Sequence, residues 1–289
     1  MLVLFALFFR PVGFDYRSKL TDAKWRTAWD WGLFAGGAIP SLVFGIAFGN
    51  LLLGVPFHLD EFLRPFYTGS FWGLLNPFAL LTGIVSLAML TMHGAVWLQL
   101  RTETVIAERA RTWAKWTSLV TVAAFALAGI WLVLGVDGYR VVSMPAFDAV
   151  PNPLTKEVVQ EAGAWLTNYT LYPFTIAFPL LGIVGGLLTS LLSVLDRAGL
   201  ALATSSLTLT GIILTAGSAM FPFIMPSSTD PNSSLIAWDA VSSHLTLSVM
   251  FWAAVVFVPI ILGYTTWTYA KMWRRVTVEE IRSQDHLAY

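Results

Sequence analysis

The residues best able to do chemistry in this chain stand at the borders of apolar stretches. Asp15 lies in RPVGFDYRSK, with Arg10, Arg17 and Lys19 around it. Two readings are open. A carboxylate so surrounded can belong to a salt-bridged loop. It can also be an acid at the mouth of a proton path, kept ionised by its cationic neighbours and able to relay. Asp239, in AWDAVSSH, has a similar border position and equally reads as a helix-start acid. The histidines are His58, His93, His244 and His286. Two facing intramembrane histidines can ligate a haem. Here His58 and His286 fall in loops, His244 opens the last apolar stretch, and His93 lies deep in the second. They differ in depth, so each reads as a packing or interface residue. Cysteine is absent, which excludes disulfides, iron–sulfur clusters and thiolate-bound metals. No phosphate-binding loop, dinucleotide fingerprint, HExxH or nucleophile elbow occurs. Asn168-Tyr169-Thr170 and Asn232-Ser233-Ser234 match the glycosylation acceptor pattern, which is short enough to arise by chance.

The elements that must position these residues are set by hydropathy. The chain of 289 residues is 56% hydrophobic and 12% charged, with mean hydropathy +0.69. Soluble domains carry about 25% charged residues. The deficit runs along the whole length and indicates a polytopic membrane protein. The net charge of zero offers no basic patch for nucleic acid. Six stretches are long and apolar enough to span, near 31–54, 74–99, 116–136, 172–194, 199–222 and 246–270, and none contains Asp, Glu, Lys or Arg. With no water to satisfy exposed backbone, these read as helices. The expected fold is therefore all-α: one membrane domain, 1–289, a polytopic transmembrane helix bundle of six complete spans plus a partial N-terminal span. Of 17 lysines and arginines, only Arg64, Arg140 and Lys156 fall in one alternate set of loops. The positive-inside rule puts the other set, with the C-terminus, in the cytoplasm.

Residues 1–9 form a partial span descending to the cytoplasmic side, with a charged loop from Arg10 to Arg26. They lack the basic start and small-residue cleavage site of a signal peptide. In the outer loop 137–171, Asn152 can cap a helix with Pro153 at its first position. Leu154, Val158, Ala162 and Trp165 recur at helical spacing, which predicts a short surface helix near 153–167. Thr277 with Glu280 offers a capping box for a cytoplasmic tail helix. Gly37, Ser41, Gly45 and Gly49 form a small-residue ladder that lets a neighbouring helix approach closely. The stretch ALATSSLTLTGIILTAGSAM holds Thr204, Ser205, Ser206, Thr208, Thr210, Thr215 and Ser218. It reads either as a polar transport path or as hydroxyls bonding their own or neighbouring helices. Trp29, Trp31, Phe66, Tyr67, Phe71, Trp72, Trp97, Trp267 and Trp273 crowd the span ends, as an aromatic belt does.

The strings FFRPVGFDYRSK, WDWGLFAGGAIPSLVFGIAFGNLLLGVPF, LNPFALLTG, LTAGSAMFPFIMPSS and WDAVSSHLTL closely resemble subunit II of cytochrome bd-type ubiquinol oxidases, in the same order and over nearly the whole chain. The resemblance implies a complex in the bacterial cytoplasmic membrane that oxidises ubiquinol or menaquinol and reduces O₂ to water. It builds a proton gradient by taking chemical protons from the cytoplasm, without pumping. It implies that subunit I carries the ligands of haem b558, haem b595 and haem d, and that none is ligated by this chain. Subunit II of the family has nine spans, braces the haem region and contributes to proton delivery, sometimes beside small accessory membrane subunits and bound lipids. The first two spans, part of the third and the intramembrane carboxylates they carry are not matched here. What matches is the entrance: Asp15 and Lys19, with Tyr289 at the end and Arg10 as a charge that positions either Asp15 or an acid of the unmatched spans. Two rivals remain, a purely structural scaffold and a stand-alone transporter. The latter needs ionisable groups or broken helices at mid-bilayer.

Overall fold

The computed structural model describes residues 1–145, 151–277 and 279. Among the described residues eight α-helices follow in order: α1 (Leu2–Arg17), α2 (Ala23–Leu53), α3 (Pro77–Arg101), α4 (Thr104–Gly135), α5 (Thr167–Leu171), α6 (Ala177–Val194), α7 (Ala198–Met220) and α8 (His244–Lys271). Among the described residues, six helical stretches are long and apolar enough to cross a membrane: Ala23–Leu53, Pro77–Arg101, Thr104–Gly135, Pro173–Val194, Ala198–Met220 and His244–Lys271. The connections alternate in character. One end of the bundle is basic, with Arg17, Arg101 and Arg197 at helix termini and Arg111 two turns into α4. The other end carries three antiparallel hairpins: β1 (Phe57–Leu59) with β2 (Pro65–Tyr67), β3 (Asp137–Ser143) with β4 (Glu157–Ala162), and β5 (Phe223–Met225) with β6 (Leu235–Ile236).

Helix starts have local causes. Asp22 accepts from Trp25 N at 3.1 Å, so α2 begins well before its apolar run. Asn76 accepts from Ala79 N at 2.8 Å and Pro77 takes the first turn of α3. Helix ends in lipid need partners for their last carbonyls, and side chains supply them. Tyr139 Oη donates to Leu53 O at 3.2 Å and Trp165 Nε1 to Leu52 O at 3.0 Å, closing α2. Tyr169 Oη donates to Thr215 O at 3.0 Å and Asn168 Nδ2 to Ser218 O at 2.8 Å, closing α7.

Three buried clusters lie along the bundle. Leu52, Phe78, Tyr139, Val158, Trp165, Phe223 and Ile236 pack under the hairpins. Val85, Ala124, Ala128 and Ile212 fill the middle. Ala95, Val96, Ala114 and Ala201 sit toward the basic end. The last two are built from small residues, consistent with helices held by close packing where lipid removes the hydrophobic drive between them.

Two expectations are corrected. The charged loop from Arg10 begins later, because α1 continues through Arg10 and Pro11 to Arg17, so Asp15 is a helical residue. Trp25 Nε1 donates to Tyr16 O at 2.8 Å and closes that helix. The surface helix near 153–167 is absent. Residues Pro153–Thr155 make one 3-10 turn, and β4 pairs with β3 from Asp137↔Ala162 to Ser143↔Glu157. Val158 and Val159 are β-branched and favour a strand once a partner is present. Gly163, at φ 77, turns the chain so that Trp165 drops under the hairpin. The helical spacing of Leu154, Val158, Ala162 and Trp165 was coincidental: Ala162 points outward.

Candidate functional site

The α1–α2 hairpin at the basic end carries the sequence-expected acid. Asp15 is exposed and makes no hydrogen bond or ion pair among the described residues. The cationic shell expected around it is not built. Arg17 turns to Asp30, with Nε 2.5 Å from Oδ1 and Nη2 3.3 Å from Oδ2, both side chains about half exposed. Lys19 Nζ stands 4.3 Å over the Tyr16 ring, which itself lies 6.0 Å from Trp29. Arg10 lays its stem over Gly36, where an added Cβ would meet Arg10 Cγ at 2.8 Å. Asp15 and Lys19 thus share one helix end without touching. Tyr289, His286 and Glu280 lie outside the described residues.

The small-residue ladder divides. Gly45 and Gly49 face α3: a Cβ on Gly45 would stand 2.7 Å from Gly83 Cα, and one on Gly49 2.7 Å from Ala79 Cα. Thr82 Oγ1 seals the contact by donating to Gly45 O at 2.9 Å. Ser41 donates back to Gly37 O at 2.8 Å, and nothing lies within 4 Å of a Cβ on Gly37. Among the described residues, therefore, no neighbour packs against Gly37. Gly36, which the spacing passed over, lets α1 approach, since its Cβ would meet Ala6 O at 2.8 Å.

The hydroxyl-rich helix α7 mostly satisfies itself. Thr204, Ser205, Ser206, Thr208, Thr210 and Thr215 each donate to a carbonyl three or four residues back, at 2.7–3.2 Å. Thr189 of α6 links across to Thr204 at 2.9 Å. These donors are already engaged, nearly all with their own helix, which leaves few of them to line a path.

The histidines are dispersed. His58 stacks on Phe66 at the hairpin end, with ring centroids 5.5 Å apart. His244 opens α8 at that same end and is exposed. His93 lies about 24 Å further along α3, with Nδ1 2.9 Å from Ser205 Oγ. These positions do not fit a pair of axial haem ligands. Among the described residues, no three His, Cys, Asp or Glu side chains gather as a metal site.

Two buried cations hold the segments that flank α8, and sequence reasoning missed both as anchors. At the basic end Arg101, 8% exposed, donates to Trp273 O at 2.8 Å and to Met272 O, and its guanidinium lies 4.6 Å from the Trp273 ring. Val276 N returns a bond to Arg101 O at 2.8 Å. At the hairpin end Lys156 Nζ lies 2.6 Å from Asp239 Oδ2, with side chains 1% and 10% exposed. This is a close charge pair, without a well-aligned hydrogen bond to Oδ2. Burial pushes the Lys156 ammonium below its usual pKa, opposed by Asp239. Asp239 also accepts from Ile236 N at 2.9 Å, and Ser243 caps α8, so Asp239 is not the helix-start acid expected. The available signal was Lys156 itself, a lone lysine in the cation-poor loops. α8 has no buried residue along its length.

The comparisons with known proteins are consistent. A family model described as cytochrome bd terminal oxidase subunit II matches residues 1–272. The chain is 57% identical over 289 residues to the cytochrome bd-I ubiquinol oxidase subunit 2 of Escherichia coli (strain K12), an alignment covering 100% of this chain and 76% of that protein. It is 52% identical, with the same coverage, to a probable cytochrome oxidase subunit 2 of Haemophilus influenzae. It is 27% identical over 283 residues to the cytochrome bd ubiquinol oxidase subunit 2 of Bacillus subtilis, covering 97% of this chain and 73% of that one. The solved bd oxidase from Geobacillus thermodenitrificans shares the fold, with TM-score 0.59 at 13% identity over 95% of this chain and 73% of that one.

Proposed function

This chain belongs to the cytochrome bd terminal oxidase subunit II family, and from that premise we propose that it braces subunit I and helps deliver cytoplasmic protons for O₂ reduction. It is a subunit of an oxidoreductase complex and an integral inner-membrane protein, and it assembles with subunit I. The haems of the complex, b558, b595 and d, are ligated by subunit I in this reading. They supply electron transfer and oxygen chemistry there. Ubiquinol or menaquinol and O₂ reach the complex through that partner, with lipids and small accessory subunits at its flanks.

The observation that carries the proton reading is the state of Asp15. It is exposed at the end of α1, and its nearest arginine in sequence, Arg17, is committed to Asp30. An exposed carboxylate at the border of a span is open to water, as the entrance of a proton path requires. Arg10, earlier on α1, lays its stem over Gly36, and Lys19, just beyond the end of α1, stands over the Tyr16 ring, so neither closes off Asp15 with an ion pair. With the basic end and the C-terminus in the cytoplasm, Asp15 faces the compartment from which protons are taken. Tyr289 belongs to the same group of candidates.

The test is Asp15→Asn in the assembled oxidase, measured as quinol-driven O₂ consumption and proton uptake, with haem content as the assembly control. Slowed turnover and uptake at unchanged haem content support the reading. Unchanged turnover and uptake leave the chain a scaffold. A stand-alone transporter finds no support in the engaged hydroxyls of α7.

A further inference from the structure

At the basic end, α3, α4 and the turn from α6 to α7 meet around one carboxylate. Asp196 sits in that turn at φ 58, a left-handed conformation that aspartate tolerates better than most residues. Arg111 Nη2 lies 2.5 Å from its Oδ1, and Gln99 Nε2 approaches the same oxygen at 3.4 Å. Gln99 Nε2 also donates to Ser193 O at 3.0 Å, the carbonyl that accepts from Asp196 N at 3.2 Å. The amide nitrogen of Gln99 is therefore fixed toward two acceptors, which assigns the other amide atom as its Oε1.

That Oε1 is buried without a donor, on a residue 4% exposed. Ser193 Oγ, on a residue 0% exposed, is buried without a partner of its own. Arg111 Nε is the third such atom at this junction. The contrast with α7 is informative, because its hydroxyls turn back onto their own helix and Ser193 does not. One acceptor and two donors, on three residues linked through Asp196 and the Ser193 carbonyl, match the two to four partners that a buried water requires. The apolar cluster of Ala95, Val96, Ala114 and Ala201 closes the side toward the bilayer interior.

We propose that this junction is a binding site for water: a water donates to Gln99 Oε1 and accepts from both Ser193 Oγ and Arg111 Nε. The bound water joins three helices beneath the exposed Asp196–Arg111 pair. It is independent of Asp15 and of the proton-delivery reading.

The discriminating variant is Ser193→Ala, which removes one hydroxyl and adds no bulk. If the site holds water, the variant loses a bridging bond, and the thermal midpoint of the assembled complex falls below that of the unaltered complex. If the site is dry, Ser193→Ala removes a buried hydroxyl that had no partner, and the midpoint stays or rises. Either of those results overturns the proposal. A high-resolution density map of the unaltered complex is the second measurement. It should show a solvent peak within hydrogen-bond distance of Gln99 Oε1. A map that resolves other buried waters but none here contradicts the site.

Discussion

Thr82 Oγ1 donates to the Gly45 carbonyl across 2.9 Å, and the same hydroxyl occupies the space that a side chain on Gly49 would need. One threonine thus fixes how closely α2 and α3 approach. A methyl on Gly45 would press on Gly83 Cα at 2.7 Å, which is backbone and cannot rotate away. Gly45→Ala should cost about 1–3 kcal/mol by overpacking. Gly37→Ala, with open space around it, should leave stability unchanged or slightly raised. Thermal unfolding of the purified complex compares the two. Equal losses would show that the ladder packs as a unit.

Arg101 should prove irreplaceable by lysine. A guanidinium serves two carbonyls, of Met272 and Trp273, and stacks near Trp97 and Trp273, while an ammonium is a compact point charge. Arg101→Lys and Arg101→Met should both expose the chain after α8. Limited proteolysis from the basic side would register faster cutting between residues 272 and 277. An unchanged cleavage rate would mean that other contacts hold that end.

The Lys156–Asp239 pair makes a cycle prediction. Removing one member of a buried pair strands the other charge, at about 3–5 kcal/mol. Lys156→Met and Asp239→Leu should each destabilise strongly. The double variant should recover most of the loss. Additive losses would identify the pair as two unrelated contacts.

Alkaline pH should loosen the hairpin end. Burial, with a smaller contribution from Asp137, raises the Tyr139 phenol from 10.0 to about 12. The folded state therefore holds this proton more tightly than the unfolded state. The associated stability is complete below pH 10 and is lost as pH rises through about 12. It amounts to roughly 2–3 kcal/mol. Phenolate absorbance followed alongside alkaline unfolding tests this. Tyr139→Phe should abolish the dependence across that interval.

The six spans were legible because a run without charge, long enough to cross lipid, has few alternatives. The acid at the end of α1 was legible as a border residue, but its surroundings were not. Which carboxylate Arg17 chooses depends on how two helices cross, and Asp30 is thirteen residues away. The failure at 153–167 has the same origin. Val158 pairs with Val141 on β3, and the helical spacing carried no sign of that partner. Arg101 was visible only as one more loop cation. Its carbonyl acceptors lie more than 170 residues further along the chain.

α8 is 28 residues long, has no buried side chain, and is anchored just beyond its two tips. Mechanically it is a rod pinned at both extremities and loaded from the side. Sliding along its axis strains a buried guanidinium or a buried ammonium, whereas bowing of its middle meets little resistance from the rest of the chain. The sideways stiffness of this last crossing is therefore set by its neighbours in the membrane, and a change at either pin can reorient a span roughly 40 Å long.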